Sequence, residues 1–180
     1  DWYFLSPVTG AMVVNTVIEG RQIDGSGKWV PAEGQTEPVG SSMNLTEPVL
    51  VQNMEGLRSK GYTIIAMGRT ASYKETWSNA MRFSGTGSYV RFNTNGEYQL
   101  LAGVFSPSTT FDSALMGRLV VTGDNGQVLY TSQDIHYNEK PIPFAVDVTG
   151  QTEVEVKFEL TIDNHWDTPV LLIDQLSLYR

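Results

Sequence analysis

Nine residues late in the chain, VEVKFELTI at 154–162, leave little choice of fold. Val154, Val156, Phe158, Leu160 and Ile162 alternate with Glu155, Lys157, Glu159 and Thr161. Successive side chains of an extended chain point to opposite faces, so this segment is a strand with one apolar and one wet face. An apolar strand face has to be covered by a second layer. The rest of the sequence therefore has to supply that layer.

It supplies strands. SYVRFNTNGEYQLLAGVF, 88–105, sets Asn95-Gly96 between two β-rich runs. Both residues tolerate positive φ, as a tight hairpin turn demands. RLVVTGDNGQVLYTS, 118–132, uses GDNG in the same way. YTIIAMG, PFAVDV and VLLIDQLSLYR add three more candidate strands. Helix signal is thin: VLVQNMEGLRSKG, 49–61, is interrupted by Gly56 and reads as a strand leading into a loop. Short strands separated by turn residues predict an all-β protein, a jelly-roll β-sandwich over residues 45–180. Residues 1–32 hold short apolar runs broken by PVTG, EG and DGSGK, which predicts a β-hairpin unit too small for a core of its own. Residues 33–44, rich in Gly, Pro, Ser and Glu, read as a linker. Since the alternating strands lie beyond that linker, the sandwich is expected to fold without the first 40 residues.

Charge and composition exclude several functions. The net charge of −8 disfavours DNA, RNA or an anionic membrane, whose binding needs a basic face. No apolar stretch approaches the ~20 residues that span a bilayer. There is no cysteine, hence no disulfide and no thiolate metal site, and two histidines, His136 and His165, are too few for a multi-histidine centre. His165 has acidic neighbours, but no G-x-S-x-G accompanies it, and most carboxylates fall in turns or on wet strand faces. The chain is read as non-enzymatic and without cofactor. GSGK and GTGS are hairpin turns rather than phosphate loops. DNHWD, 163–167, and TGDNG, 122–126, carry oxygens at the close spacing that calcium uses. GDNG is better explained as a turn, and no metal is assigned to DNHWD.

Sugar recognition has better candidates. An aromatic ring can stack on the C–H face of a pyranose while amides, carboxylates and guanidinium groups hold its hydroxyls. Trp166, flanked by Asn164, His165 and Asp167, offers this just before the last strand. Trp77, with Asn79 and Arg82, offers it again. The competing reading is that either indole plugs an end of the sandwich. His136-Tyr137 reads as an ordinary surface loop.

Two stretches resemble known families. SNAMRFSGTGSYVRFNTNGEYQLLAGVF, VVTGDNGQVLYTSQDIHYNEKPIPFAVDVTGQTEVEVKFELT and the strand after DNHWDTP together resemble the NPCBM family of carbohydrate-binding modules. Its members occur beside glycoside hydrolases and on bacterial surface proteins. WYFLSPVTGAMVVNTVIEGRQIDGSGKWV resembles a single choline- or glucan-binding cell-wall repeat of Gram-positive surface proteins. The resemblances imply an extracellular, non-catalytic module that binds a cell-wall or host glycan. A structural or adhesive module with a protein partner is the alternative they leave. The repeat resemblance also implies that the chain starts within or just after an array of repeats. In such repeats a ligand cage takes aromatics from two adjacent units. Here Arg21-Gln22 stand where an aromatic pair is usual, so Trp2, Tyr3, Phe4 and Trp29 are expected to be packing residues and choline binding to be weak or absent.

Overall fold

The computed structural model describes residues 2–35, 45, 48–54, 56–70, 75–108, 116–136, 139–162 and 169–180. Its strands, in chain order, are β1 (Thr16–Ile18), β2 (Arg21–Ile23), β3 (Trp29–Val30), β4 (Val49–Leu50), β5 (Arg58–Lys60), β6 (Tyr62–Arg69) and β7 (Thr76–Ser84). There follow β8 (Ser88–Asn93), β9 (Leu100–Pro107), β10 (Met116–Thr122), β11 (Val128–Thr131), β12 (Ile142–Asp147), β13 (Glu153–Ile162) and β14 (Val170–Tyr179). One large sheet runs β11-β10-β13-β8-β5 and the other β12-β9-β14-β7-β6, with β4 alongside β14. From β7 onward most connections cross between the sheets. The expected all-β jelly-roll sandwich is what forms, with β13 spanning 153–162 as its alternation predicts.

The two sheets bury one apolar layer between them. Val154, Val156 and Phe158 of β13, with Val90, Phe92, Leu119 and Val121, face Met81, Phe83, Leu101, Phe105, Phe144, Leu171 and Ile173. Phe144 anchors the middle, 5.6 Å from the Phe105 ring and stacked on Tyr130 at 5.9 Å. Burial lifts the Tyr130 hydroxyl pKa far above its ordinary value. Each buried Phe of this kind contributes roughly 2–3 kcal/mol. Gly117 is required by this packing, because a Cβ there would lie 2.6 Å from the ring of Phe158.

The turn at Asn95-Gly96 differs from the sequence expectation. Both residues are left-handed, at φ 52° and 72°. Yet β8 pairs with β13 and β5, while β9 pairs with β12 and β14, so the turn carries the chain between sheets instead of closing a hairpin. Local turn chemistry sets the φ values but not which strands pair. The turn is held from outside: the N–H groups of Thr94 and Asn95 donate to the Thr152 carbonyl at 2.9 and 3.2 Å, and that of Gly96 donates to the Gln151 carbonyl at 3.0 Å. Asp124, in the true β10–β11 hairpin, is fastened to the same place. Its carboxylate accepts the N–H groups of Thr152 and Glu153 at 3.0 and 2.9 Å and the Thr152 hydroxyl at 2.8 Å.

The N-terminal unit forms a small sheet, β1-β2-β3. Asp24 organises its tight turn by accepting the Ser26 hydroxyl at 2.7 Å and the Ser26 and Lys28 N–H groups at 2.8 and 3.0 Å. These bonds, the Ser26 hydroxyl foremost, hold the Asp24 carboxyl below its ordinary pKa. The unit borrows its core from the sandwich. Val13 and Ile18 pack on Leu100, Ala102, Ala145 and Tyr179, on the face of the second sheet turned away from the main core. The Thr16 hydroxyl donates to the Ala145 carbonyl at 2.9 Å, and the Glu19 N–H to the Asp147 carboxylate at 3.0 Å. Core residues thus lie on both sides of the segment read as a linker, of which 36–44 fall outside the described residues. Of the expected packing aromatics, Trp29 is buried and Phe4 is packed in part, whereas Trp2 and Tyr3 are 37% and 49% exposed.

Ile18 is 3% exposed, so Ile18→Ala is expected to cost the whole protein about 2–4 kcal/mol in urea unfolding. A loss below about 0.5 kcal/mol, the usual range for surface changes, would mean that the N-terminal sheet does not share the cooperative core.

Candidate functional site

The β6–β7 ribbon builds the site, because it does not run straight. Ser84 at the end of β7 lies opposite Val170 at the start of β14. A straight ribbon would carry its far end roughly 30 Å from that pair, nine residues at about 3.3 Å each. Instead Thr70, just past β6, forms a bridge to Ser108. The Ser108 N–H in turn donates to the Val170 carbonyl at 3.0 Å. The ribbon therefore doubles back over the outer face of its own sheet. This accounts for the burial of Ser106, Ala80 and Leu172, which belong to neither apolar cluster.

Asn79 sits where the ribbon turns, at φ 57°. β14 answers it. Its pairing with β7 runs to Ile173↔Met81 and then stops; from Ser177 it pairs with β4 instead. A bulge lies between Asp174 and Ser177, and Gln175 within it has φ 52°. Extending the register sets Gln175 opposite Asn79, so two left-handed residues face each other where the strands part. Asn adopts that region readily, but Gln does so at a cost, which the surrounding fold sustains.

Asp174, beside the bulge, is a half-buried carboxylate. Desolvation raises its pKa, partly offset by bonds from Gln175. Its side-chain partner is the Gln175 amide at 3.3 Å, and among the described residues no cation pairs with it. The N-terminal sheet covers one end of this outer face and the returning ribbon the other. Asp174 and Gln175 lie between the two covers.

The sequence candidates distribute as follows. Trp77 is half-buried on β7, paired with Gly68 one step from the ribbon's Arg69–Thr76 end. Asn79 is exposed at the bend, and Arg82 is half-buried opposite Thr63 and Leu172. Asn164, His165, Trp166 and Asp167 fall outside the described residues, as does DNHWD as a whole. Their flank is described: the Pro169 carbonyl accepts the Gly85 N–H at 2.8 Å, and Val170 meets Ser108. The fold-back thus brings the Trp77 end of the ribbon to the strand start that follows residues 163–168. Among the described residues no three His, Asp or Glu side chains gather to hold a metal.

Asp174 and Gln175 escaped the sequence reading. The signal was present: DQ interrupts the apolar run of VLLIDQLSLY with two adjacent polar residues, which period two does not allow without a bulge. Chemically, the cluster offers a carboxylate acceptor with no cation beside it among the described residues, two amides and a partly exposed indole. Among the described residues it has no second facing carboxylate.

An ionised Asp174 is penalised by the fold. Because its folded pKa is raised, stability from this group is full below the unfolded value and falls as pH rises through the folded one. Asp174→Asn is therefore expected to raise the thermal midpoint at pH 7, with the gain vanishing in acid. An unchanged or lowered midpoint at pH 7 would show that the carboxylate is held by favourable contacts.

No family model and no curated protein matches this sequence. Solved structures do match. The CBM51 module from Clostridium perfringens GH95, in complex with methyl-galactose, aligns with TM-score 0.56 and 9% identity, over 73% of this chain and 99% of that one. The M60 catalytic domain with CBM51-1 and CBM51-2 from Clostridium perfringens ZmpB aligns with TM-score 0.54 and 12% identity over 74% of this chain, which spans 15% of that one. CBM51-2 with INT domains from the same protein, in complex with GlcNAc, gives 0.52 and 14% over 77% of this chain and 30% of that one. At these identities the likeness is one of fold: the sandwich is built as these carbohydrate-binding modules are built.

Proposed function

We propose that this chain is a non-catalytic glycan-binding module of a secreted or cell-surface protein. The observation that carries the reading is the fold-back of the β6–β7 ribbon. It brings the Trp77 end of the ribbon to the flank of 163–168 and leaves Asn79, Asp174 and Gln175 open at the bend. In this reading Trp77 and Trp166 supply stacking faces for pyranose C–H groups. Asn79, Asn164, His165, Asp167, Arg82 and Asp174 take the hydroxyls. The methyl-galactose and GlcNAc complexes of the similar modules support a hexose or hexosamine as the class of ligand. The shared fold also supports the NPCBM resemblance, and the Clostridium modules fit a Gram-positive setting.

A second reading has its own observation. Among the described residues, six of the eight exposed large hydrophobics, Trp2, Tyr3, Leu5, Met12, Val17 and Val30, lie in the N-terminal unit. That surface suits an adhesive or spacer role with a protein or repeat neighbour. It does not conflict with sugar binding at the ribbon.

A glycan array probed with the intact chain, followed by calorimetry on the best hit, tests the first reading. Trp77→Ala and Trp166→Ala are each expected to weaken binding at least about tenfold, or ~1.4 kcal/mol, while leaving cooperative unfolding in place. Loss of about 3–5 kcal/mol of stability in either variant would identify that indole as a core plug and remove it from the site.

A further inference from the structure

The outer face of the β11-β10-β13-β8-β5 sheet carries a charge pattern that the glycan site above does not use. β5, β8, β13 and β10 present Arg58, Lys60, Arg91, Lys157 and Arg118 there, against Glu153, Glu155 and Glu159. Five cations against three carboxylates leave +2 on this face of a chain whose net charge is −8.

The surplus is concentrated at one corner. Lys60, Tyr89 and Lys157 form one cross-strand row on β5, β8 and β13, because Tyr89 pairs with both lysines. In the next row Arg58 faces Arg91 directly. Like charges set opposite one another destabilise a sheet. The fold answers with shared carboxylates: Glu153 pairs with Arg58 and lies 3.7 Å from Arg91, Glu155 holds Arg91 at 2.5 Å, and Lys157 meets Glu159 at 2.7 Å. Lys60 is exposed, and among the described residues it has no ion pair. Tyr89 is half-exposed in the middle, with the Arg91 guanidinium 5.5 Å from its ring centroid. An acid-rich chain has thus placed a ring between two lysines, one of which has no counter-charge among the described residues.

We propose that this corner binds an acidic glycan, one carrying carboxylate or sulfate groups. Tyr89 provides the stacking ring, Lys60 and Lys157 take the anionic groups on either side, and Arg91 holds the ring in place. Charge complementarity favours such a ligand. Nucleic acid is a poorer fit, because single strands are held by a succession of stacking rings and, among the described residues, this corner presents Tyr89 alone. The proposal is independent of the ribbon site.

The test is calorimetry of the full chain at low salt. The probes are a heparin oligosaccharide, a hyaluronan oligosaccharide, which carries carboxylates only, a neutral chitin oligosaccharide and a single-stranded oligonucleotide. Binding to heparin, hyaluronan or both is expected, and which of them binds separates sulfate from carboxylate recognition. Added salt should weaken it. Tyr89→Ala should lower the affinity about tenfold and Lys60→Ala roughly threefold, whereas Trp77→Ala should not change it. Lys60 is exposed, so Lys60→Ala keeps the test decisive even if Tyr89→Ala fails to fold. No binding to either acidic glycan would overturn the proposal. So would equal binding of the oligonucleotide, or neutral-sugar binding that is as tight and persists in Trp77→Ala, where the ribbon site is removed. The same holds if Lys60→Ala leaves affinity intact but makes the chain self-associate, for then the cations on β5 only guard a sheet edge. Loss of neutral-sugar binding in Trp77→Ala reports on the ribbon site and leaves this one untouched.

Discussion

Every residue of β9, from Leu100 to Pro107, is buried, and most of the molecule follows from that. A strand exposes two faces, so a wholly buried one has to be covered twice. The opposite sheet covers the inner face through Leu101 and Phe105. The outer face needs separate covers, and the described residues supply two. The N-terminal unit lies on Leu100 and Ala102, and the β6–β7 ribbon returns toward Ser108. Neither cover reaches the whole face. A half-buried carboxylate and two left-handed backbones lie between them.

Much of this was legible in the sequence. The alternation of 154–162 fixed β13, and GDNG closes a real hairpin, with Asn125 at φ 56°. LLAGVFSP has no alternation at all, which marks a strand buried on both faces. Its second cover could not be read in advance. Val13 and Ile18 look like members of a weak, isolated hairpin until the partner face is known. Asn95-Gly96 shows a related limit: turn chemistry prescribes dihedrals, but pairing is decided by which apolar faces meet. The approach of Trp77 to the start of β14 depends on a reversal at Asn79, and the sequence signals that only through an Asn within an otherwise regular strand.

The two large sheets meet water differently. The outer face of the second is closed by protein on both sides of a narrow gap. That of the first stays open and is laced with charge. Cross-strand ion pairs on it are part-exposed and worth little each, of order 0.2–1 kcal/mol. They keep a flat surface soluble more than they hold the fold, which rests on the aromatic layer beneath. An arrangement of this kind frees the charged face to differ from protein to protein while the inner face cannot.

The fastening of Asn95-Gly96 and Asp124 to Gln151, Thr152 and Glu153 gives the sandwich two unlike poles. At one pole three turns are stitched to each other through backbone groups and the Asp124 carboxylate, and the N-terminal sheet is seated nearby. Any insertion there would break several bonds at once. From the other pole leave the connections between β7 and β8, β9 and β10, and β13 and β14, which span 85–87, 108–115 and 163–169. Selection can lengthen or rewrite these without undoing the clasp at the far end. The molecule is in that sense a handle with an interchangeable tip, and descent would be expected to conserve the first and diversify the second.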